Sequence, residues 1–358
     1  MKKTTWILAV LGAFSGVASA QSSVVVYGII DASVAKMNNG QSTLTFFPSA
    51  LIGRPDIWTE RSATSNRLGF RGTEDLGGGL KANFAIEHRF LPDTGGIEPR
   101  DGAAANIFWN AQTWLGLSSS MGEVRLGRQY VPAFYIGLAS DPWTYDYNVG
   151  GAAGFTRGGN GVTTAYNSVV YRTPNFAGVT AEVMVALGEG GAAIVNPPAG
   201  RLGRNVGANV QYSAGPLWAG IGYNDSKQVG TPTVNRYWNS GIAYDFGFVR
   251  PMASYSVGHD NIAGNPTTKT YLIGATAPLG AGKLKVVAAR YHGAVGQNFN
   301  AANTFLPQLT GGQRTTKFGL GYEYFFSKRT SVHADVGTAK TETVSRTNGF
   351  EAGIKHVF

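Results

Sequence analysis

The stretch EAGIKHVF (residues 351–358) has an alternating pattern that indicates a β-strand. Counted back in twos from Phe358, the positions occupied by His356, Ile354 and Ala352 are mostly apolar, whereas the positions between them are mostly polar or small. A two-residue period is typical of a strand with one apolar face. These residues therefore predict part of a sheet, and the rest of the chain should indicate which sheet.

The same alternation recurs along the chain in short segments separated by Gly, Pro, Asn and Asp. In KFGLGYEYFFS (residues 317–327), large apolar side chains alternate with Lys317, two glycines and Glu323. Segments of this kind, bounded by turn residues, are typical of strands. We predict sixteen strands, which lie near residues 24–34, 64–73, 80–90, 109–117, 123–130, 166–173, 179–187, 204–213, 217–225, 236–245, 248–257, 269–277, 283–292, 315–325, 330–338 and 348–358.

The connections between these strands are alternately short and long. EDLGGG (residues 74–79) and PNFAG (174–178) are short, whereas residues 91–108 and 131–165 form long connections. Alternating short turns and long loops are typical of an outer-membrane barrel. A soluble sandwich would show the same strand period, but the second face is polar on nearly every strand and offers too little material for another buried layer.

We therefore predict an all-β fold, a 16-stranded antiparallel transmembrane β-barrel. Because a barrel has no free edge, the last strand should pair with the first, VVVYGIIDASV (residues 24–34). Sixteen strands enclose a lumen too wide for side chains to fill, so water should occupy it. This predicts passive passage of small solutes.

Composition excludes several other classes of protein. The chain has 50 glycines without a collagen period, no cysteine, and a net charge of +9. The absence of cysteine excludes disulfide-stapled domains, thiol chemistry and Cys-ligated metals. The histidines are far apart in the sequence and the basic residues are scattered, so we expect no metal, no cofactor and no nucleic-acid partner. Scattered positive charge favours a pore that prefers anions.

The first twenty residues have the features of a secretory signal peptide. MKKTTWILAVLGAFSGVASA (residues 1–20) has two lysines, an apolar run and a small-residue ending, which predicts cleavage before Gln21. The alternative is a transmembrane helix, but the run from Trp6 to Val17 is too short to span a bilayer. We expect residues 21–358 to form a single barrel domain.

Five stretches resemble the trimeric general porins of Gram-negative bacteria, especially those of beta-proteobacteria. They are SSVVVYGIIDASV (22–34), SNRLGFRGTEDLGGGLKANFAIE (65–87), GEVRLGRQYVP (122–132), YRTPNFAGV (171–179) and GIKHVF (353–358). The resemblance implies an outer-membrane homotrimer in contact with outer-membrane lipids and lipopolysaccharide. It also implies a third outer loop, about residues 131–165, that folds into the pore as a constriction. In the family, a terminal residue such as Phe358 is a signal to the barrel-assembly machinery.

The resemblance also suggests which charges line the pore wall. Arg67 matches a basic wall position of the family, and alternation with Leu68 and Phe70 turns Arg67 and Arg71 inward. If the strand faced the other way, both arginines would lie in lipid. This would cost roughly 2–4 kcal/mol for each arginine near the bilayer midplane. The same argument turns Lys81, Arg89 and Arg172 inward. The alternative for each of these residues is a charge at the barrel rim that reaches water.

On the loop, the resemblance points to two acidic residues. Asp141 falls where the family often carries an acid, although an Asp beside Pro142 is also a common turn cap. Asp146 lies one residue beyond the next family acid position. Ala111, and Thr164 or Tyr166, stand where the family carries further arginines. These departures leave open the strength of the anion preference and the alternative of a solute-selective pore.

Two other classes of function are weighed against the channel. An outer-membrane barrel enzyme would need a nucleophile and a base at one level of the wall, and the sequence predicts no such pair. A soluble all-β binding protein would not require detergent. We therefore expect an outer-membrane porin without catalytic activity, through which ions and small hydrophilic solutes diffuse with a weak preference for anions.

Overall fold

The computed structural model describes residues 23–38, 58–98, 107–146, 149–156, 162–188, 204–227, 234–260, 267–293, 313–342 and 346–358. The predicted signal peptide (residues 1–20) lies outside these described residues. No helix in the described ranges is long and apolar enough to cross a bilayer.

The described chain is built almost entirely of strands. They are β1 (Ser23–Met37), β2 (Trp58–Arg61), β3 (Asn66–Gly77), β4 (Leu80–Phe90), β5 (Gln112–Ser119), β6 (Gly122–Tyr130), β7 (Thr164–Arg172), β8 (Val179–Ala186), β9 (Asn205–Ala214), β10 (Leu217–Lys227), β11 (Val234–Tyr244), β12 (Arg250–Asp260), β13 (Thr267–Leu279), β14 (Gly282–Gly293), β15 (Gln313–Phe325), β16 (Thr330–Thr341) and β17 (Thr347–Val357). Helix α1 (Pro132–Ala139) and a 3-10 turn (Ala153–Thr156) lie between β6 and β7.

The strands form one closed antiparallel ring. Each strand from β3 to β16 pairs with the next along the chain, and β17 pairs with β1, for example Ile29 with Val357. On its other side β1 pairs with β3 through residues 23–29 and with β2 through residues 33–36. β2 and β3 therefore make one interrupted strand, and the barrel has sixteen strand positions. The predicted 16-stranded barrel is confirmed.

The interruption lies at residues 62–65 and was not predicted. The segment WTER of β2 lacks a two-residue period, so periodicity gave no signal for it. Asp31 of β1 holds the break, because its carboxylate accepts the Ala63 backbone N–H at 3.1 Å. The Asp31 N–H in turn donates to the Asn66 side chain. A buried carboxylate thus replaces the missing ladder bonds.

The two faces of the barrel follow the predicted alternation. Apolar side chains on the outside are open to the surroundings: Leu115 is 62% and Ile273 is 64% exposed. Such exposure is unfavourable in water and is typical of a surface that faces lipid. The inner positions are mostly polar, charged or glycine.

The final residue belongs to the ring, as predicted. The Phe358 N–H donates to the Gly28 carbonyl at 3.1 Å, and the Gly28 N–H donates to the Phe358 carbonyl at 3.0 Å. These bonds continue the β1–β17 pairing to the end of the strand.

Candidate functional site

The connection from β6 to β7 enters the barrel and follows its inner wall. It begins with α1, whose Pro132 occupies the first turn, where the missing N–H is not needed. The Asn209 side chain of β9 donates to the Pro132 carbonyl at 2.7 Å. The Asn239 side chain of β11 donates to the Ala133 carbonyl at 2.9 Å. These bonds fix the start of the loop against β9–β11.

The loop then crosses the wall towards the end of the chain. The indole Nε1 of Trp143 donates to the Asp335 carboxylate of β16 at 2.7 Å. The Thr64 hydroxyl, at the break between β2 and β3, donates to the Asp146 carboxylate at 3.0 Å. The outward leg of the loop therefore runs from β9 to the interrupted strand.

The return leg stays on the same wall. The Val149 N–H donates to the Glu351 carboxylate of β17 at 2.8 Å. The Ser256 hydroxyl of β12 donates to the Phe155 carbonyl at 3.1 Å. Phe155 also packs with Trp143 and with Leu272 of β13 in a buried apolar cluster. Both legs therefore lie along β9–β17.

Inward glycines let the loop approach this wall closely. A Cβ atom at Gly319 would overlap the Gly150 carbonyl, and one at Gly274 would lie 2.5 Å from Pro142 Cγ. The same close approach occurs at Gly207, Gly222, Gly241, Gly337 and Gly349. Glycine within a strand often marks a place where another backbone comes close. We call this surface, the inner face of β9–β17, the covered wall.

The inner face of β3–β5 carries no docked segment of this loop among the described residues, and we call it the uncovered wall. Arg67 is half-buried and its Nε donates to the Ser65 carbonyl at 3.2 Å. Arg71 is exposed, and its guanidinium lies 5.2 Å from the centre of the Tyr27 ring. Across the described part of the chain, neither arginine forms an ion pair.

The other predicted wall residues have different surroundings. Arg89 is buried, and it donates to Glu87 at 2.8 Å and to the Tyr130 hydroxyl at 2.7 Å. Arg172 is half-exposed and lies 3.7 Å from the Glu182 carboxylate. Lys81 is exposed near the short β3–β4 turn, opposite Asp75 in the ladder. The charge of Arg172 is thus partly balanced, and that of Arg89 largely so.

Asp141 occupies the turn-cap position, one of the two roles considered for it. Its carboxylate is 1% exposed and accepts the backbone N–H groups of Trp143 at 3.3 Å and Tyr145 at 3.0 Å. Burial raises the pKa of the Asp141 carboxyl to about 6, against the opposing effect of these two N–H groups. Because this carboxylate is enclosed beneath the loop, it does not line an aqueous path.

Asp146 is the loop acid that interacts with basic residues of both walls. It is half-buried, and burial raises its pKa, whereas the charges of Lys355, Arg67 and Lys285 act in the opposite direction. Arg67 approaches this acid from the uncovered wall, and the two lysines approach it from β14 and β17. Asp146 is therefore the loop acid whose charge interacts with Arg67.

Several inward charges were not singled out from the sequence. Glu323 lies between Lys285 at 2.9 Å and Lys355 at 2.5 Å. Arg125 lies 2.8 Å from Glu182, and Arg61 lies 3.5 Å from Glu351. All of these residues except Arg61 lie at inward positions of strands with a clear two-residue period. The alternation that turns Arg67 inward could therefore have identified them from the sequence. Arg61 lies in β2, which lacks this alternation.

The aromatic side chains at the start of the loop form a stack. The Phe134 ring lies 4.4 Å from Tyr130, 4.8 Å from Tyr145 and 5.8 Å from Tyr135, measured between ring centres. Tyr130 and Tyr145 are buried, whereas Phe134 and Tyr135 are partly exposed. Stacked rings of this kind pack the start of the loop against Tyr130 of β6.

In the part of the barrel that the structure describes, no group of three or more His, Cys, Asp or Glu side chains is arranged to hold a metal ion.

Comparison with known proteins identifies the family. The model of the Gram-negative porin family matches residues 8–343. The chain belongs to this family. The porin is 34% identical over 365 residues to outer membrane porin protein 32 of Delftia acidovorans, with 98% of this chain and 93% of that protein covered. It is 28% identical over 402 residues to an outer membrane porin protein of Bordetella pertussis, with 100% of each chain covered.

Among solved structures, the porin is similar to the anion-selective porin from Comamonas acidovorans. The TM-score is 0.75 at 27% identity, and the match covers 94% of this chain and 100% of that chain. Family, relatives and fold together establish an outer-membrane porin, a channel protein of the Gram-negative outer membrane.

Proposed function

We propose that this porin is a homotrimer in which each barrel carries a water-filled path for ions and small hydrophilic solutes, with a weak preference for anions. The loop between β6 and β7, predicted as residues 131–165, narrows that path. Outer-membrane lipids and lipopolysaccharide surround the barrel. Phe358 is a signal that the barrel-assembly machinery recognises. Residues 1–20 are the signal peptide, which is removed on export.

One observation carries the proposal. The loop docks on the covered wall and leaves Arg67 and Arg71 on the uncovered wall without an ion-pair partner among the described residues. An unpaired guanidinium beside a narrow aqueous path raises the local concentration of anions. The similarity to a porin described as anion-selective agrees with this sign.

Other charges should keep the preference weak. Asp146 lies near Arg67, and Arg89, Arg125, Lys285 and Lys355 all have acidic partners. Paired charges contribute little net potential at a distance, because the opposite signs cancel. The arginines absent at Ala111 and at Thr164 or Tyr166 reduce the wall charge further.

The test is the reversal potential of the purified porin in a planar lipid bilayer under a KCl gradient. We expect conductance steps in groups of three and a potential that indicates excess chloride flux. Arg67→Gln should shift the potential towards potassium. Arg172→Gln, which removes a charge already close to Glu182, should shift it less.

Each outcome bears on a different part of the proposal. Cation selectivity of the native porin would reject Arg67 as the dominant charge and make the acids of the loop dominant. An equal shift in both variants would reject the special position of Arg67. A well-folded protein without conductance would reject the open channel itself.

A further inference from the structure

The uncovered wall contains a cavity of about 510 Å³ towards the short-turn end of the barrel. Its lining includes Tyr27, Arg71, Asn83, Glu87, Trp114 and Glu123. We propose that this cavity is a binding subsite for aromatic monocarboxylates on their way through the pore. The inference rests on the proposed channel function and names a solute class for it.

The acids that line this cavity already have partners. Glu87 accepts the Tyr27 hydroxyl at 3.0 Å and pairs with Arg89 at 2.8 Å. Glu123 accepts the Asn83 side chain at 3.1 Å and lies 3.6 Å from Arg125. Each carboxylate is therefore balanced by an arginine other than Arg71.

Arg71 is the cation that remains for a solute. The structure gives it no ion pair with any described residue, and its guanidinium is exposed to the lumen. A guanidinium presents N–H groups in a planar fork that matches a carboxylate. The polar half of the solute is therefore a carboxylate placed at Arg71.

Aromatic side chains supply the other half of the subsite. The Tyr27 ring lies beneath Arg71, and the Trp114 ring lies 5.2 Å from the Arg125 guanidinium. The indole N–H of Trp114 is satisfied by Gln112 at 3.1 Å, so the ring needs no further polar partner. Both rings are partly exposed. These rings and guanidinium planes form flat surfaces on which another aromatic ring can lie.

Charge and size restrict the solute further. A dianion would bring its second negative charge near Glu87 and Glu123, which disfavours it in a confined space. The cavity volume lies within the range of small-molecule sites, about 300–1,000 Å³. A solute with one ring and one carboxylate satisfies all of these constraints.

The experiment uses the native porin in a planar bilayer in KCl and adds benzoate, acetate, benzamide or phthalate. We expect benzoate to reduce the chloride current at concentrations about tenfold lower than acetate does. The free energy of one aromatic contact is similar to the free energy that corresponds to a tenfold change in affinity. Benzamide and phthalate should have weaker effects than benzoate. Acetate shares the charge of benzoate and benzamide shares its ring, so each tests one half of the subsite.

Variants then locate the effect. Arg71→Gln should raise the half-blocking concentration of benzoate about tenfold, because a charge-assisted hydrogen bond is lost. Trp114→Leu should weaken the block by benzoate and leave that by acetate unchanged. Arg172→Gln is the matched control, since Arg172 is an inward arginine outside the cavity lining, and it should leave the benzoate block unchanged.

Two results would overturn the inference. Equal block by benzoate and acetate would reject the aromatic class, and a benzoate block that survives both Arg71→Gln and Trp114→Leu would reject the site. If the Arg71→Gln variant does not assemble, two other variants test the site. Arg71→Lys removes the planar fork of N–H groups, and Trp114→Leu removes the aromatic ring. A protein that forms no open channel would show no conductance in KCl before any aromatic solute is added. Failure of the proposed channel function is therefore distinguishable from failure of the proposed subsite.

Discussion

The covered and uncovered walls belong to one sheet and share one period, yet they are built from different residues. Where the loop docks, the inner positions include glycines such as Gly274 and Gly319, with polar anchors such as Asn239. Where it does not dock, they carry long basic side chains such as Arg67 and Arg71. The outer face must be apolar all the way round, because it meets lipid. The inner face is free of that demand, so it can carry glycine at the positions where the loop backbone comes close.

The two walls also use their polar groups differently. On the covered wall, side chains of β9, β11 and β12 donate to loop carbonyls, which satisfies an irregular backbone inside the barrel. On the uncovered wall, the Arg71 guanidinium is exposed and bonds to no loop carbonyl among the described residues. The comparison predicts that changes to the covered wall alter pore width, whereas changes to the uncovered wall alter selectivity.

The largest effect is expected from filling a glycine of the covered wall. Gly319→Leu would place side-chain atoms where the Gly150 carbonyl lies, so the loop must leave this wall. Overpacking costs about 1–3 kcal/mol, and here the added atoms meet loop backbone, which has no free space to move within the docked arrangement. We expect a higher single-channel conductance and weaker ion selectivity, measured in a planar bilayer.

The control for this change is Thr73→Phe, which adds as many heavy atoms as Gly319→Leu but at an exposed position on the uncovered wall. It should leave the loop in place and should not raise the conductance. If Gly319→Leu left conductance and selectivity at native values, the importance of small residues for docking would be refuted.

A smaller effect is expected from removing one anchor. Trp143→Phe keeps an aromatic ring in the apolar cluster but loses the hydrogen bond to Asp335. A hydrogen bond to a charged group contributes about 1.5–3 kcal/mol. We expect more frequent current fluctuations at an unchanged mean selectivity, and faster cleavage of the loop by added protease. If the variant showed no more current fluctuations and no faster protease cleavage than the native porin, the aromatic ring alone would hold the loop.

The smallest effect is expected from pH. Because the pKa of Asp141 is raised from 3.8 to about 6, the docked loop holds this proton more tightly than a released loop does. Docking is therefore most favourable below about pH 4, and it weakens as pH rises until Asp141 is ionised in both states. Between pH 5 and 7 the change is about 1 kcal/mol. Protease cleavage of the loop should accelerate over this range, and Asp141→Asn should remove most of the dependence. Slower cleavage at the higher pH would contradict this sign.

The sequence predicts the barrel because alternation is imposed by lipid on one side and water on the other. All sixteen strand positions follow from that pattern, with ends that differ by a few residues, as in β13 (Thr267–Leu279, against 269–277). Even the pairing of the first and last strands follows, since a closed sheet leaves no choice. The interruption between β2 and β3 does not follow, because it is held by one distant carboxylate, Asp31.

The site is less accessible to sequence reasoning. The alternation of the strand residues turns Arg67 and Arg71 inward. It does not distinguish them from Arg89, whose charge is balanced by Glu87 in the structure. The position of Asp141 in the loop suggests either a pore charge or a turn cap, and only the folded loop distinguishes them. The glycines of the covered wall are visible in the sequence as a high glycine content. Their role depends on which backbone comes near, and that is a property of the whole fold.

The pairing of β1 with both β17 and the interrupted strand has a consequence for how the porin assembles. Residues 29 and 357 meet in the ladder, so β1 cannot complete its bonds until nearly the whole sheet is present. Contacts between such distant parts of a chain form slowly. Until they form, β1 and β17 are open edges that can pair with another copy. The period before closure is therefore when the chain is most exposed to aggregation, and a peptide with the sequence of β17 should act as an inhibitor of folding.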